Sequence, residues 1–259
     1  MAAPTLLAAA LGASACTIAP HTATQMPESV SAPWSGDPEV RAWYDGPTTR
    51  YAHGVLGDAV EGTQLHVYTH GAVSSCRVQA LILPDELVFE DTAPRLADLD
   101  GDGTPEIIVV QSHQRLGAQL AIYRAAMDGI SLDLVATTPF IGRRNRWLAP
   151  IGMADFDGDG AMDIAYIDRP HLARVLRVWR FEDETLSEIA TREGLTNHRI
   201  GETFITGGVR ECGAGPEMVT ADTTWSEVRV TGFREGQLSS RRVAPFSAEN
   251  VDAALNCTL

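Results

Sequence analysis

Two nine-residue runs constrain the fold of this chain more than anything else in it. The pattern D-x-D-x-D-G-x-x-[DE] occurs as Asp98, Asp100, Asp102, Gly103 and Glu106, and again as Asp155, Asp157, Asp159, Gly160 and Asp163. An apolar run follows each at once, Ile107 to Val110 and Ile164 to Ile167. Carboxylates at alternate positions of a tight turn converge, and their mutual repulsion is severe unless a cation neutralises it. Hard oxygen donors in an irregular loop favour Ca²⁺ over Mg²⁺, and no His or Cys enters the motif to recruit zinc. Two calcium sites are therefore expected, with these carboxylates and the backbone carbonyls of Thr104 and Ala161 as ligands. Gly103 and Gly160 supply the sharp turn. An EF-hand needs a glutamate at loop position twelve, where this chain has Val109 and Tyr166, so that reading fails.

The two copies are parts of a longer repeat, since Asp98 and Asp155 stand 57 residues apart. Weaker copies occur at Gly54 to Glu61 and at Arg210 to Glu217; they keep only Asp58 with Glu61 and Glu211 with Glu217, and no metal is expected there. Short β-rich runs separated by Gly, Asp, Asn and Pro turns fill the chain from about residue 47. The expected strands include Glu106 to Ser112, Leu120 to Arg124, Leu132 to Thr137, Asp163 to Ile167, Val175 to Phe181, Glu217 to Thr220 and Glu227 to Phe233. A unit of that length holds about four strands and cannot bury both faces alone, so neighbouring units must stack about an axis. The expected fold is all-β, a small β-propeller with four blades. Strands from Asp37 to Tyr44 or from the C-terminal tail would make a fifth, and a two-sheet β-sandwich is the architectural alternative.

The run Leu96 to Val110 and its partner over 153–167 resemble FG-GAP or VCBS-type repeats. The detailed resemblance spans roughly 95–180, with weaker echoes over 50–95 and 205–245. It implies a β-propeller of the kind found in integrin α-subunits, in which the aspartate loop binds calcium between strands of a blade and stiffens it. It implies calcium at the two matching loops only. The longer sequence also resembles exported bacterial proteins with these repeats and no established activity.

Composition narrows the function. The 34 acids against 20 bases give a formal charge of −14, which repels phosphate backbones and excludes a nucleic-acid binder. All the bases are arginine, so a P-loop, a Schiff base and a catalytic lysine are excluded together. No G-x-S-x-G, H-E-x-x-H or C-x-x-C motif occurs.

Residues 1–15 read as a signal peptide, with the apolar stretch Leu6 to Leu11 closed by small residues, and no transmembrane segment is expected. An A-x-A cleavage site ends at Ala15, and Cys16 stands where the acylated cysteine of a bacterial lipoprotein would; both readings place the protein outside the cytoplasm, secreted, periplasmic or lipid-anchored. Residues 16–46 read as a flexible tether and lead-in, and 47–259 as the propeller. A bridge between Cys212 and Cys257 is favoured because it would fasten the chain end to an earlier unit.

Basic and aromatic clusters precede three of the repeat cores: Arg50, Tyr51 and His53; Arg144, Arg146 and Trp147; His198 and Arg199. Equivalent positions in successive blades would ring one mouth of the propeller. There, forked arginine contacts and aromatic stacking suit a protein or carbohydrate ligand. The expected function is a calcium-stabilised, exported, monomeric binding module. The alternative is an envelope hydrolase or lyase acting on acidic polysaccharide, with Asp168 and His171 as a further acid and base. Trp147, Trp179 and Trp225 fall in strand-like positions and are expected to wedge between blades.

Overall fold

A computed structural model of the chain describes residues 25–34, 36–71 and 76–259. The expected signal peptide and Cys16 lie outside the described residues. Four antiparallel sheets follow one another along the chain in a propeller-type, all-β succession. The first holds β1 (Glu39–Asp45), β2 (Gln64–His70) and β3 (Arg77–Ile82). The second holds β4 (Leu87–Phe89) and β5 (Arg95–Ala97), both paired to β6 (Glu106–His113), then β7 (Gly117–Ala125) and β8 (Leu132–Thr137). β9 (Leu148–Ala154), β10 (Met162–Asp168), β11 (Val175–Glu182) and β12 (Thr185–Glu193) make the third. In the fourth, β13 (Leu195–Thr196) and β14 (Gly208–Glu211) both pair with β15 (Pro216–Asp222), followed by β16 (Glu227–Arg234) and β17 (Gln237–Pro245).

The sheets stack because their central strands are apolar on both faces. Along β6, Ile107 and Val109 join a core with Val40, Tyr44, Leu65 and Val67 of the first sheet. Alternate residues Ile108 and Val110 face the other way, into a core with Leu148, Ile164 and Tyr166 of the third. On β10 the same alternation sends Ala165 and Ile167 toward Met218 and Phe233 of the fourth sheet. Each sheet thus depends on its neighbour, as a repeat that cannot bury itself must. The outermost strand β12 is exposed or half-buried along its whole length.

Two expectations need correction at the ends. The strand expected over Asp37 to Tyr44 is present as β1 and buries Val40, Ala42, Trp43 and Tyr44, but it opens the first sheet beside β2 and adds no fifth one. The C-terminal tail adds no strand. It forms α1 (Ala248–Leu255), capped by Ser247 Oγ, which accepts the Asn250 N–H at 3.1 Å. α1 lays Val251 and Ala254 on Val219, Val228 and Val230, covering one face of the fourth sheet. Among the described residues, the first and fourth parts of the chain meet through connections: Gly201 N–H donates to the Val55 carbonyl at 3.1 Å. Val55 itself is buried in the core between the second and third sheets, so the 47–62 connection fills the centre.

The bridge between Cys212 and Cys257 is present and ties the second residue beyond α1 to the β14–β15 turn. No helix of the described residues is long and apolar enough to cross a membrane.

Candidate functional site

Both aspartate loops join neighbouring antiparallel strands, β5 to β6 and β9 to β10. Their own backbone shapes them. Asp98 accepts the N–H groups of Gly101 at 2.8 Å and Gly103 at 3.0 Å, and Asp155 accepts those of Gly158 at 2.7 Å and Gly160 at 2.9 Å. Gly103 and Gly160 take φ of +90° and +96°, a conformation that a Cβ would strain. Carboxylate oxygens of Asp98, Asp100 and Glu106 come within 4.8 Å of one another, as do those of Asp155, Asp157 and Asp159. This donor set fits a hard cation. Asp102 and Asp163 do not join these trios. Asp102 accepts the Thr104 N–H at 2.7 Å, and Asp163 accepts the Phe156 N–H and an arginine.

The arginines were not legible as part of the site. Arg124 on β7 puts Nε 2.9 Å from Glu106, Nη2 2.5 Å from Asp100 and Nη1 2.9 Å from Glu184. Arg180 on β11 does the same in the next blade, with Nε 3.1 Å from Asp163, Nη2 2.8 Å from Asp157 and Nη1 on Asp159. Asp163 and Arg180 are direct cross-strand partners. One guanidinium therefore screens each acidic loop from the neighbouring strand. Burial still pushes the Asp163 carboxyl up to about 6 and raises that of Glu106. The signal that could have found them is register: each arginine follows the ninth motif residue by 17 or 18 positions, one hairpin on.

The mouth residues divide. Tyr51 is buried, its Oη accepting the Asn145 N–H at 2.9 Å, with the Arg144 guanidinium 5.4 Å above its ring. His53 Nδ1 lies 2.5 Å from Glu90, whose other oxygen accepts from Ser112. Trp147 is buried and donates its indole N–H to the Glu90 carbonyl at 2.8 Å; His171 and His198 stand against its ring. His53, Arg146 and His171 line one cavity of about 210 Å³.

Two mouth arginines turn elsewhere. Arg50 is held by Asp85 at 3.2 Å and by the carbonyls of Pro84 and Leu87. Arg199 lies 4.1 Å from the Trp225 ring centroid and 5.1 Å from that of Phe246. Trp225 is not in a strand; it sits in a turn at φ +58°.

Asp168 and His171 do not form an acid and base pair. Asp168 is taken by Arg169 and Arg177. His171 Nε2 lies 3.0 Å from His198 Nδ1, and His198 Nε2 lies 3.0 Å from the Glu202 carbonyl. A carbonyl only accepts, so His198 carries its proton on Nε2 and, when neutral, takes a hydrogen bond from His171. Burial and then His198 push the His171 imidazole down to about 4, so His171 is neutral at physiological pH; burial also lowers that of His198.

Sequence comparison places an FG-GAP-like repeat at residues 98–166, the segment holding both aspartate loops. No curated protein matches the chain. Among solved structures it is similar to Sqt1 of Saccharomyces cerevisiae (9% identity, TM-score 0.41, 82% of this chain and 46% of that one). It is also similar to a Xanthomonas type IV secretion system related protein (11%, 0.33, 81% and 92%) and to rhamnogalacturonan lyase PL11 of Bacillus licheniformis (15%, 0.37, 82% and 50%). The chain spans about half the length of the first of these.

Proposed function

We propose that this FG-GAP-like repeat protein is an exported binding module whose second and third blades are each stiffened by one calcium ion. The observation that carries this reading is the pair of equivalent loops, each bringing three carboxylate oxygens within 4.8 Å. Asp98, Asp100 and Glu106 would hold one ion, and Asp155, Asp157 and Asp159 the other. Each ion would tie a loop to the strands it joins, and it would act on the fold, not on a substrate. The bridge between Cys212 and Cys257 suits an oxidising compartment, in keeping with the expected leader and with a secreted, periplasmic or lipid-anchored protein.

The role of the mouth is recognition of a protein or carbohydrate ligand, by a monomer, around His53, Arg146 and His171. Binding is favoured over polysaccharide cleavage because the titratable groups there are engaged with one another. His53 is paired with Glu90 and His198 with a carbonyl, while Asp168 is saturated by arginines.

The arginines give a direct test. Arg124 and Arg180 place a positive charge against each cation site, so Arg124→Gln and Arg180→Gln should each tighten calcium binding at their own loop by roughly tenfold. Titration calorimetry on the two variants reads this. No calcium heat in the parent protein or in either variant would remove calcium from the loops.

A further inference from the structure

The four blades share one register position. In three, an acid at the start of a central strand pairs across to the strand that precedes it, Glu106 with Ala97, Asp163 with Ala154 and Glu217 with Arg210; in the first, Glu61 takes the equivalent place three residues before β2, paired with Thr48 in an isolated bridge. In three blades a guanidinium sits on that acid. Arg124 serves Glu106, Arg180 serves Asp163, and Arg210 with Arg241 serve Glu217. The fourth blade has lost the aspartate loop and supplies two arginines in its place.

Glu61 of the first blade is the exception. It is 4% exposed, and its carboxyl has neither a hydrogen bond nor an ion pair among the described residues. It lines a cavity of about 370 Å³ together with Glu28, Asp58 and Asp91, and among the described residues no basic side chain lines that cavity. Asp91 is committed to Arg95, at 2.7 and 3.1 Å, and Asp58 accepts the Val60 N–H at 2.8 Å. Glu61 is left as an unanswered acid aimed into an open, acidic space.

We infer that this cavity is a binding site for a guanidinium group, the side chain of an arginine brought by a partner, which completes on Glu61 the pairing that the other three blades make internally. A metal ion fits less well. Among the described residues only the two aspartate loops gather three carboxylates within 4.8 Å, and Glu61 belongs to neither. A planar fork needs only one carboxylate face and tolerates the wider spacing of the others. Burial, Glu90, Asp58 and Asp91 together raise the Glu61 carboxyl to about 9, so it is protonated when the site is empty. Seating a cation beside it therefore expels a proton.

The probe is methylguanidinium, titrated calorimetrically into the whole protein at pH 7.5 in two buffers of different ionisation enthalpy. Methylammonium and Ca²⁺ serve as comparators. The expected result is saturable binding in roughly the millimolar range, release of close to one proton, and loss of both in Glu61→Gln. Asp100→Ala and Asp157→Ala, which test the calcium reading, should leave it unchanged. Should Glu61→Gln fail to fold, carboxyl NMR of the unaltered protein replaces it: methylguanidinium should shift the Glu61 titration to lower pH. No saturable heat and no movement of that titration would overturn the inference. So would a shift of the Glu61 titration by Ca²⁺ equal to that by methylguanidinium.

Discussion

Replacing Cys212 and Cys257 together by serine should lower the unfolding free energy by about 4 kcal/mol, the chain-entropy value for a loop of this size. The bridge spans 45 residues and closes β15 to β17 and α1 into one ring. Its loss frees the chain end and lets α1 lift from Val219, Val228 and Val230, so the fourth sheet should lose protection first. Denaturant unfolding of the variant, with amide exchange to locate the loosened segment, checks this. A loss below about 1 kcal/mol, or exchange spread evenly over all four sheets, would show that α1 holds without the bridge.

Arg210→Ala should cost about 3–5 kcal/mol, the range for removing one partner of a buried ion pair. Arg210 is 5% exposed and donates to Glu217 at 3.0 and 2.7 Å, and also to the Ala254 carbonyl at the end of α1 at 2.9 Å. The nearby pair from Arg241 to the same glutamate has an arginine side chain 54% exposed, so Arg241→Ala should cost about 1 kcal/mol or less. Equal losses in the two variants would mean that burial is not what gives the Arg210 pair its weight. Arg210 and the disulfide both fasten α1, so combining the variants should cost less than the sum of the separate losses.

The second and third blades were legible because their loops need particular residues at fixed spacings. Carboxylates must alternate and glycine must take positive φ, and the strands after them must be apolar on both faces. The first and fourth blades lack that loop chemistry and left only faint copies. A strand over Asp37 to Tyr44 was legible because Val40, Ala42 and Tyr44 carry the alternation that buries it; that it opens the first sheet was not, because the composition around it reads as linker. α1 has eight residues, too few for its period to stand out, and only Ser247 marks its start.

Arginine destinations were the hardest to read. A long, flexible cation goes to whatever anion, carbonyl or ring the fold brings near it. Arg50 and Arg199 therefore left the mouth for Asp85 and for Trp225, while Arg124 and Arg180 entered the acidic loops. Trp147 read as a mouth aromatic as well as a wedge between blades; its burial and its hydrogen bond to the Glu90 carbonyl place it in the core.

The central claim is that two calcium ions stiffen the second and third blades. Calcium stoichiometry measured together with melting temperature, on the protein from Thr17 onward with and without chelator, tests it most directly when Asp100→Ala and Asp157→Ala are run alongside. The account predicts two ions in the parent protein, one in each variant, and a melting temperature that falls on chelation because clustered carboxylates lose their counter-charge. No bound calcium, with the same melting temperature in calcium and in chelator, would contradict it and leave Arg124 and Arg180 as the only cations these loops require.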